Sequence, residues 1–270
     1  MPPSDAILLG LLEGLTEFLP VSSTGHLILA SYVIGASGSA VKAFEVVIQS
    51  GAVLAVLGLY WSSALSMWRG ALGRDPDGRR LLVNLLVSFL PAAVAGLLLH
   101  DVIKDALFGV RPVITALAAG GVVMIVVDRW RRAHPLPPGC ERTLHTLTTR
   151  DALIIGVAQC LSLWPGMSRA MVTMLAGLSR GLSPVEAARY SFLLALPTLG
   201  AATALDMIVH GDALWREIGP DAVGYGLATA GLTAAVAVTF LVRYLTRHGL
   251  EVFGWYRLGL AGAVWWLAVR

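Results

Sequence analysis

The chain has 270 residues, of which 56% are hydrophobic and only 14% are charged, and its net charge is +3. A soluble domain carries roughly a quarter charged residues, so most of this surface does not face water. Together with a mean hydropathy of +0.73, the composition excludes a disordered chain, a nucleic-acid-binding module and an ordinary cytosolic enzyme. It indicates a membrane protein with several spans. Two cysteines make a disulfide framework implausible. The first residues lack a basic stretch, so we expect no cleaved signal peptide.

The chain begins with an interrupted apolar segment, residues 5–34, in which a run of about 13 residues precedes a break at Pro20. Thirteen helical residues reach about 20 Å, short of the ~30 Å hydrocarbon core. The segment therefore predicts a helix–break–helix hairpin that enters and leaves the membrane on one side, and residues 151–180, broken at Pro165, predict a second. Six further stretches are long enough to span: roughly 43–61, 81–99, 112–128, 186–208, 222–242 and 255–269. The predicted fold is all-α, with six transmembrane helices plus two re-entrant hairpins.

Arginines are concentrated in alternate loops. The loops at 62–80, 129–150 and 243–257 hold twelve cations, the last of them Arg257. The other loops hold four: Lys42, Lys104, Arg111 and Arg216. By the positive-inside rule the Arg-rich loops face the cytoplasm, so both termini lie outside. Trp255 and Tyr256 near the C-terminus are typical of interfacial anchoring.

The two halves of the chain resemble each other. Residues 5–10 match residues 151–156 at an offset of 146, and residues 20–23 match residues 165–168 at an offset of 145. Each half contains one hairpin and three spans, and an odd number of spans inverts the second copy. We therefore predict a first repeat at 1–130, a cytoplasmic linker at 131–150 that contains Pro138 and Gly139, and an inverted repeat at 151–270. Inverted repeats with broken helices place a site near the midplane, where the breaks meet. A chance match among apolar letters is the alternative.

Five charges lie in or beside apolar runs, where an unpaired charge costs about 2.5–3.5 kcal/mol at the bilayer centre. They are Glu13, Glu17, Glu45, Arg169 and Arg189. For Glu45 and Arg189, near span ends, snorkelling or an interhelical ion pair is as good an explanation as function. Glu13 and Glu17, four residues apart, share one helix face and repel unless a cation separates them or one is protonated. Their oxygens, with phosphate, suit Mg²⁺ or Ca²⁺.

Hydroxyls and one imidazole follow the first break. Ser22 or Ser23 can cap the second half-helix, whose free N–H groups then form an anion site. His26, in the first turn, is a candidate general acid/base or phosphoryl acceptor, with a bond to a backbone carbonyl as the alternative. Ser168 and Arg169 repeat the arrangement at the second break, where a guanidinium suits phosphate oxygens. The set predicts that a metal-bound phosphate or diphosphate is held and attacked.

These segments resemble signatures of the undecaprenyl-diphosphate phosphatase family of the bacitracin-resistance type. Residues 13–26, EGLTEFLPVSSTGH, are similar to its first signature nearly letter for letter. Residues 44–49 resemble its next helix, residues 165–169 open its second signature, and residues 192–197 continue it. The resemblance covers essentially the whole chain. It implies a phosphatase of the bacterial plasma membrane that removes the terminal phosphate of a C55 polyprenyl diphosphate, regenerates the carrier for cell-wall synthesis and confers bacitracin resistance.

The resemblance also implies roles for individual residues. The catalytic set is Glu13, Glu17, Ser23, His26 and Arg169, and the substrate-binding set is Ser22, Thr24, Gly25, Gln49, Ser168 and Thr173. Glu13 and Glu17 would hold the divalent cation, Mg²⁺ or Ca²⁺. The nucleophile is left open between Ser23, His26 and water on the metal, and a homodimer is left open too. Because the first hairpin is entered from outside, we expect the site to face the extracytoplasmic side.

One departure and two alternatives accompany this prediction. The family usually continues Ser-Arg with Ser-Gly-Ala-Thr, whereas residues 170–173 here read Ala-Met-Val-Thr. A phosphatase acting on a different lipid diphosphate is one alternative, and a transporter or flippase of a polyprenyl phosphate is the other. A structural scaffold would leave the intramembrane charges unexplained.

Overall fold

A computed structural model describes residues 1–107, 109–135, 137 and 140–268. Three features of the prediction lie outside the described residues: Pro138 and Gly139 of the linker, the side chain of Lys104, and residue 269 at the end of the last span. In the part of the chain that is described, the regular structure is helical, as the composition predicts.

The α-helices are numbered in chain order. They are α1 (Pro3–Glu17), α2 (Ser23–Ile34), α3 (Ser39–Leu59), α4 (Trp61–Ala71), α5 (Pro76–Leu98), α6 (His100–Leu107), α7 (Val110–Ala133), α8 (Thr149–Gln159), α9 (Arg169–Ser179), α10 (Pro184–Ala213), α11 (Pro220–Leu245) and α12 (Glu251–Ala268). A 3₁₀ turn at Cys160–Leu163 extends α8, and a π-helical turn at Leu214–Ile218 extends α10.

Five helices are long and apolar enough to cross a membrane: α3, α5, α7, α10 with its π-helical turn, and α11. They coincide with five of the six predicted spans. The sixth stretch lies in α12, which also carries Glu251 and Arg257 and is not among the five.

Both interrupted segments have the predicted helix–break–helix pattern. α1 and α2 contain 15 and 12 residues and are separated by residues 18–22. α8 and α9 contain 11 residues each. At ~1.5 Å per residue these helices reach about 16–23 Å, shorter than the ~30 Å hydrocarbon core.

Glycines bring α1 into close contact with α11. A Cβ atom at Gly10 would collide with the carbonyl of Gly226, and one at Gly14 with the carbonyl of Ala230. In lipid, where tails are as apolar as side chains, such close backbone contact is a main source of helix association. The first interrupted segment is thereby fixed against the second half of the chain.

An ion-pair network joins the N-terminus of α8 to the C-terminus of α9. The Asp151 carboxylate accepts from Arg180 Nε at 2.8 Å, from Arg142 Nη1 at 2.9 Å and from Thr148 Oγ1 at 2.6 Å. Burial by itself raises the pKa of Asp151, but these donors outweigh it and hold that pKa well below its usual value. Because Arg142 lies in the predicted linker, the network also ties the linker to the second interrupted segment.

Two predicted loops are wrong. Residues 61–71 form α4, and α5 already begins at Pro76, so most of the stretch 62–80 is helical. Arg257 is not in a loop: it lies within α12 with its side chain fully buried. In both places charged residues were assigned to a loop although they lie within a helix: Arg79 and Arg80 in α5, and Arg257 in α12. Without Arg257 the three Arg-rich stretches, whether loop or helix, still hold eleven cations against four in the other loops.

Candidate active site at two helix breaks

Both breaks end in a serine with a left-handed backbone. Ser22 has φ +74° and Ser168 has φ +67°, and no other non-glycine residue in the described chain has positive φ. Each serine caps the following helix: Ser22 Oγ accepts from the Gly25 N–H at 3.4 Å, and Ser168 Oγ from the Met171 N–H at 3.3 Å. Such a backbone costs about 1–3 kcal/mol and is typical of functional sites. The cap of α2, left open in the sequence, is Ser22.

The caps also correct the internal repeat. They are 146 positions apart, which is the offset that relates residues 5–10 to residues 151–156. Ser22 therefore corresponds to Ser168, and Ser23 to Arg169. Pairing Ser23 with Ser168 at an offset of 145 was wrong, because proline lies two residues before the cap in one break and three before it in the other.

These equivalent positions meet on one carboxylate. Ser23 Oγ donates to Glu17 Oε2 at 2.6 Å, and Arg169 Nη2 donates to Glu17 Oε1 at 3.1 Å. All three residues are buried. A buried ion pair with its remaining oxygen satisfied is far less costly than either charge alone. The two breaks are thus joined at Glu17, as the sequence predicts for Glu17, Ser23 and Arg169.

Residues of α9 and α10 support the guanidinium. Arg169 Nη1 donates to the Ser191 carbonyl at 2.8 Å. Thr173 is fully buried, and its hydroxyl lies 2.8 Å from the Arg169 carbonyl and 2.7 Å from Ser191 Oγ. Thr173, predicted to bind substrate, therefore contacts Arg169 and α10. Ser191 gave no signal in the sequence beyond its place in an apolar helix.

Glu13 is the carboxylate without partners. It is fully buried, and neither of its oxygens has a hydrogen-bond partner within the described residues. The negative charges of Glu17 and Glu45 and the positive charge of Arg169 act on it. A buried carboxylate is costly unless a cation or a proton accompanies it.

The donor set bears on the predicted metal. Among the described residues no group of three or more His, Cys, Asp or Glu side chains could hold an ion by itself. Mg²⁺, however, is commonly held by one or two carboxylates, with phosphate oxygens and water completing its shell. The unpartnered oxygens of Glu13 beside Glu17 fit that arrangement.

His26 is engaged at both ring nitrogens. Nδ1 lies 2.8 Å from the carbonyl oxygen of Ser22, and Nε2 lies 2.7 Å from Tyr256 Oη. The two rings are nearly parallel, with centroids 5.6 Å apart. The carbonyl bond weighed as an alternative is present, and His26 makes no direct hydrogen bond to Glu17 or Arg169 within the described chain. Interfacial anchoring is therefore not the whole account of Tyr256.

Arg257 is a second residue that the sequence analysis missed. Its Nη2 donates to the Gly166 carbonyl in the second break at 2.9 Å and to the Ala116 carbonyl of α7 at 3.0 Å. Its Nε donates to the Leu117 carbonyl at 3.3 Å. A cation inside an apolar run is the signal that could have identified it.

Of the remaining substrate-binding predictions, Thr24 and Gly25 follow the first break and Gln49 lies on α3. Gly25 is buried, and a Cβ atom there would be 3.3 Å from the side chain of Leu117, so α2 lies close to α7. Thr24 is exposed, and Gln49 is half-buried on α3. Neither side chain hydrogen-bonds to a break in the part of the chain that the structure describes.

The charges near span ends have local partners. Glu45 Oε1 accepts from Ser31 Oγ at 2.7 Å, and Arg189 pairs with Glu186 at 2.8 Å. Arg189 therefore has an ion pair, but within α10 and not between helices as predicted. For Glu45 the partner is a hydroxyl of α2, which keeps this carboxylate beside the first interrupted segment.

Comparisons with known proteins agree with the motifs. The family model described as bacitracin resistance protein BacA matches residues 6–263. A protein named undecaprenyl-diphosphatase from Sorangium cellulosum is 51% identical over 265 residues, covering 97% of this chain and 85% of the relative. Proteins of the same name from Novosphingobium aromaticivorans and Cereibacter sphaeroides are 42% and 44% identical. The match covers 98% of both chains for the first, and 94% of this chain and 92% of the relative for the second.

Proposed function

The chain belongs to the bacitracin resistance protein BacA family, and from this membership we propose that it is an integral membrane phosphatase acting on undecaprenyl diphosphate. It removes the terminal phosphate and returns the monophosphate carrier to cell-wall synthesis. The names of its relatives support this activity. The observation that carries the proposal is the buried contact of Ser23 and Arg169 with one carboxylate, Glu17, which joins the two breaks.

The diphosphate is bound by positive groups that the breaks bring together. Helix N-termini attract anions through free N–H groups and the helix dipole, and α2 and α9 both begin at a break. Arg169 adds a planar guanidinium suited to two phosphate oxygens. A diphosphate thus has three donor groups in a poorly hydrated site, where charge–charge attraction is strong.

The nucleophile that this geometry favours is Ser23. Its hydroxyl already donates to Glu17, the arrangement expected of a nucleophile and its base. When phosphate oxygens take the donors of Arg169, Glu17 Oε2 keeps its hydrogen bond to Ser23 and is the group placed to take the proton. Oγ then bonds to the terminal phosphorus while the bond to the bridging oxygen breaks, and Glu17 takes the proton. Undecaprenyl phosphate leaves, and water hydrolyses the phosphoserine to free phosphate and serine.

Glu13 and Glu17 would hold the divalent cation. When bound, Mg²⁺ or Ca²⁺ neutralises charge on the phosphates. His26 Nε2 is within reach of a proton donor, Tyr256, and serves as the acid/base group in the hydrolysis of the phosphoserine. Glu17, which is already protonated at that stage, would not be free to act as the base.

The membrane arrangement is part of the proposal. α12 is the sixth span, and the α1–α2 and α8–α9 segments are re-entrant hairpins that enter from opposite sides of an inverted repeat. The short helices and the common offset of 146 between the caps support this topology. With the Arg-rich loops inside, the site opens to the extracytoplasmic side of the plasma membrane. A cysteine at Thr24, labelled from outside only by an impermeant thiol reagent, tests the orientation.

Phosphate release by the purified protein from undecaprenyl diphosphate tests the activity. We expect Glu17→Ala to abolish release and Arg189→Lys, at a half-exposed ion pair, to leave it unchanged. Full release by Glu17→Ala would contradict the carboxylate assignment. Lipid movement between leaflets without any release would favour a transporter instead.

A further inference from the structure

We propose that Tyr256 is a positioning residue for His26, which it holds in one tautomer and one ring orientation at the active site. The inference rests on the proposed function only for the consequence in catalysis, because the contact itself is a property of the fold. Tyr256 comes from α12, the last helix of the chain, whereas His26 lies in α2, 230 residues earlier.

The hydrogen bonds fix which nitrogen carries the proton. A carbonyl oxygen only accepts, so the 2.8 Å contact with Ser22 requires that Nδ1 of His26 donates. A neutral imidazole then has its lone pair on Nε2, and the Tyr256 hydroxyl, 2.7 Å away, donates to it. Nε2 is therefore the ring nitrogen that can take a proton, and its single lone pair faces the Tyr256 hydroxyl. The hydroxyl can also accept, so it can stay with the ring when Nε2 takes a proton.

α12 is a rigid support for this hydroxyl. It packs on α7 with glycine against glycine, since a Cβ atom at Gly121 would lie 2.8 Å from the Gly254 carbonyl and one at Gly254 would lie 2.7 Å from the Gly121 carbonyl. The next residue after Tyr256 is the fully buried Arg257, which binds carbonyls of α7 and of the second break. Gly254 and Arg257, on either side of Tyr256 in α12, are thus both packed against α7. The ring of Tyr256 stacks on His26.

Consecutive residues of α12 therefore serve the two breaks. Tyr256 contacts His26 in the first turn after the first break, and Arg257 contacts the backbone of the second break. Holding a catalytic group by a hydrogen bond from a packed helix is the usual way in which a reactive geometry is kept within a fraction of an ångström.

The first test is spectroscopic and needs no activity. Protein labelled with ¹⁵N-histidine is compared with the His26→Gln variant, which assigns the His26 resonances. We expect a neutral ring protonated on Nδ1, with an Nε2 resonance that moves downfield in Tyr256→Phe as the hydrogen bond is lost. A proton on Nε2, or an unmoved resonance in the variant, would overturn the proposal.

The second test is kinetic. Tyr256→Phe keeps the ring and loses the hydroxyl, so we expect kcat for phosphate release to fall about 3- to 10-fold, the effect of one hydrogen bond, with KM unchanged within about twofold. In the His26→Gln background the same substitution should change nothing further, because residues that act through one another are not additive. Tyr225→Phe, a half-exposed tyrosine of α11, is the matched control.

The outcomes separate this proposal from the function. If wild-type protein releases no phosphate, the function fails while the tautomer measurement still stands. If His26→Gln lowers kcat and Tyr256→Phe does not, the role of Tyr256 is wrong and the phosphatase assignment is untouched. An equal loss for Tyr256→Phe in both backgrounds would also contradict a role through His26.

Discussion

Removing one partner of the Glu17–Arg169 ion pair is expected to destabilise the protein more than removing both. Each side chain is only 8% exposed, and the pair joins the two breaks. Either single substitution leaves a buried charge without its counter-ion, whereas the double substitution leaves none. The comparison therefore separates the cost of an unpaired charge from the loss of a contact.

The structure gives the size of each effect. Breaking a buried pair from one side costs about 3–5 kcal/mol. The cost of Glu17→Gln should lie at the lower end of this range, because Arg169 keeps its hydrogen bond to the Ser191 carbonyl. The cost of Arg169→Met should lie at the upper end, since the Glu17 carboxylate then keeps only its hydrogen bond from the Ser23 hydroxyl. The double variant should cost about 1–3 kcal/mol, well below the sum of the two.

The assay is reversible unfolding in mixed micelles titrated with a denaturing detergent, run on the wild type, both single variants and the double variant. The surface pair Glu186–Arg189, with side chains 16% and 44% exposed, provides the control cycle. Its coupling should be no more than about 1 kcal/mol. If the Glu17 and Arg169 effects add within about 0.5 kcal/mol, the pair is not a coupled buried contact and the reasoning is wrong.

Four further predictions follow from the same structure. Ser22→Gly should leave stability unchanged or raise it by about 1 kcal/mol, because glycine tolerates the positive φ and loses little as a cap, whereas Ser22→Val should lower the melting temperature. Glu13→Gln should raise the stability of the cation-free protein by about 1 kcal/mol or more and abolish the melting shift that Mg²⁺ gives the wild type. Asp151→Asn should be destabilising at pH 7. Because folding lowers the pKa of Asp151, the stability that its carboxylate contributes is present above the unfolded pKa of about 3.9 and is lost as the pH falls below it. A difference between variant and wild type that does not change with pH would contradict the ion-pair network. Gly14→Leu should cost about 1–3 kcal/mol in the same unfolding assay, since α1 must move away from α11, and an unchanged midpoint would refute that close contact.

The sequence predicts the helical elements well because the bilayer imposes their length. Apolar runs of about 20 residues identify five of the spans, and the short runs around residues 20 and 165 identify the breaks. Charged residues lead to wrong helix boundaries where buried hydrogen-bond partners accommodate the charge inside a helix. Arg257 was counted as a loop cation, yet it lies within a helix, where three carbonyl oxygens accept from its guanidinium.

The site is predictable to the extent that its residues are adjacent in the chain. Glu17, Ser23 and Arg169 could be placed together because each flanks a break, and breaks of inverted repeats meet. The contacts of Ser191 and Tyr256 could not be found, since a serine in an apolar helix and an aromatic near a terminus have ordinary explanations. The alignment of the two breaks could not be read from the sequence either. Proline lies one position further from the cap in the second break, which hid the correspondence of Ser23 and Arg169. The backbone angles of the capping serines reveal it.

The order of synthesis gives the long-range contacts a consequence for biogenesis. Glu17 meets Arg169 across 152 residues of chain, and His26 meets Tyr256 across 230. The first interrupted segment therefore leaves the ribosome long before its polar partners exist. Its charges are best held at the water-filled translocon or the lipid interface until α9 and α12 arrive. A chain that ends before α9 therefore lacks the contact between Glu17 and Arg169, and one that ends before α12 lacks the contact between His26 and Tyr256.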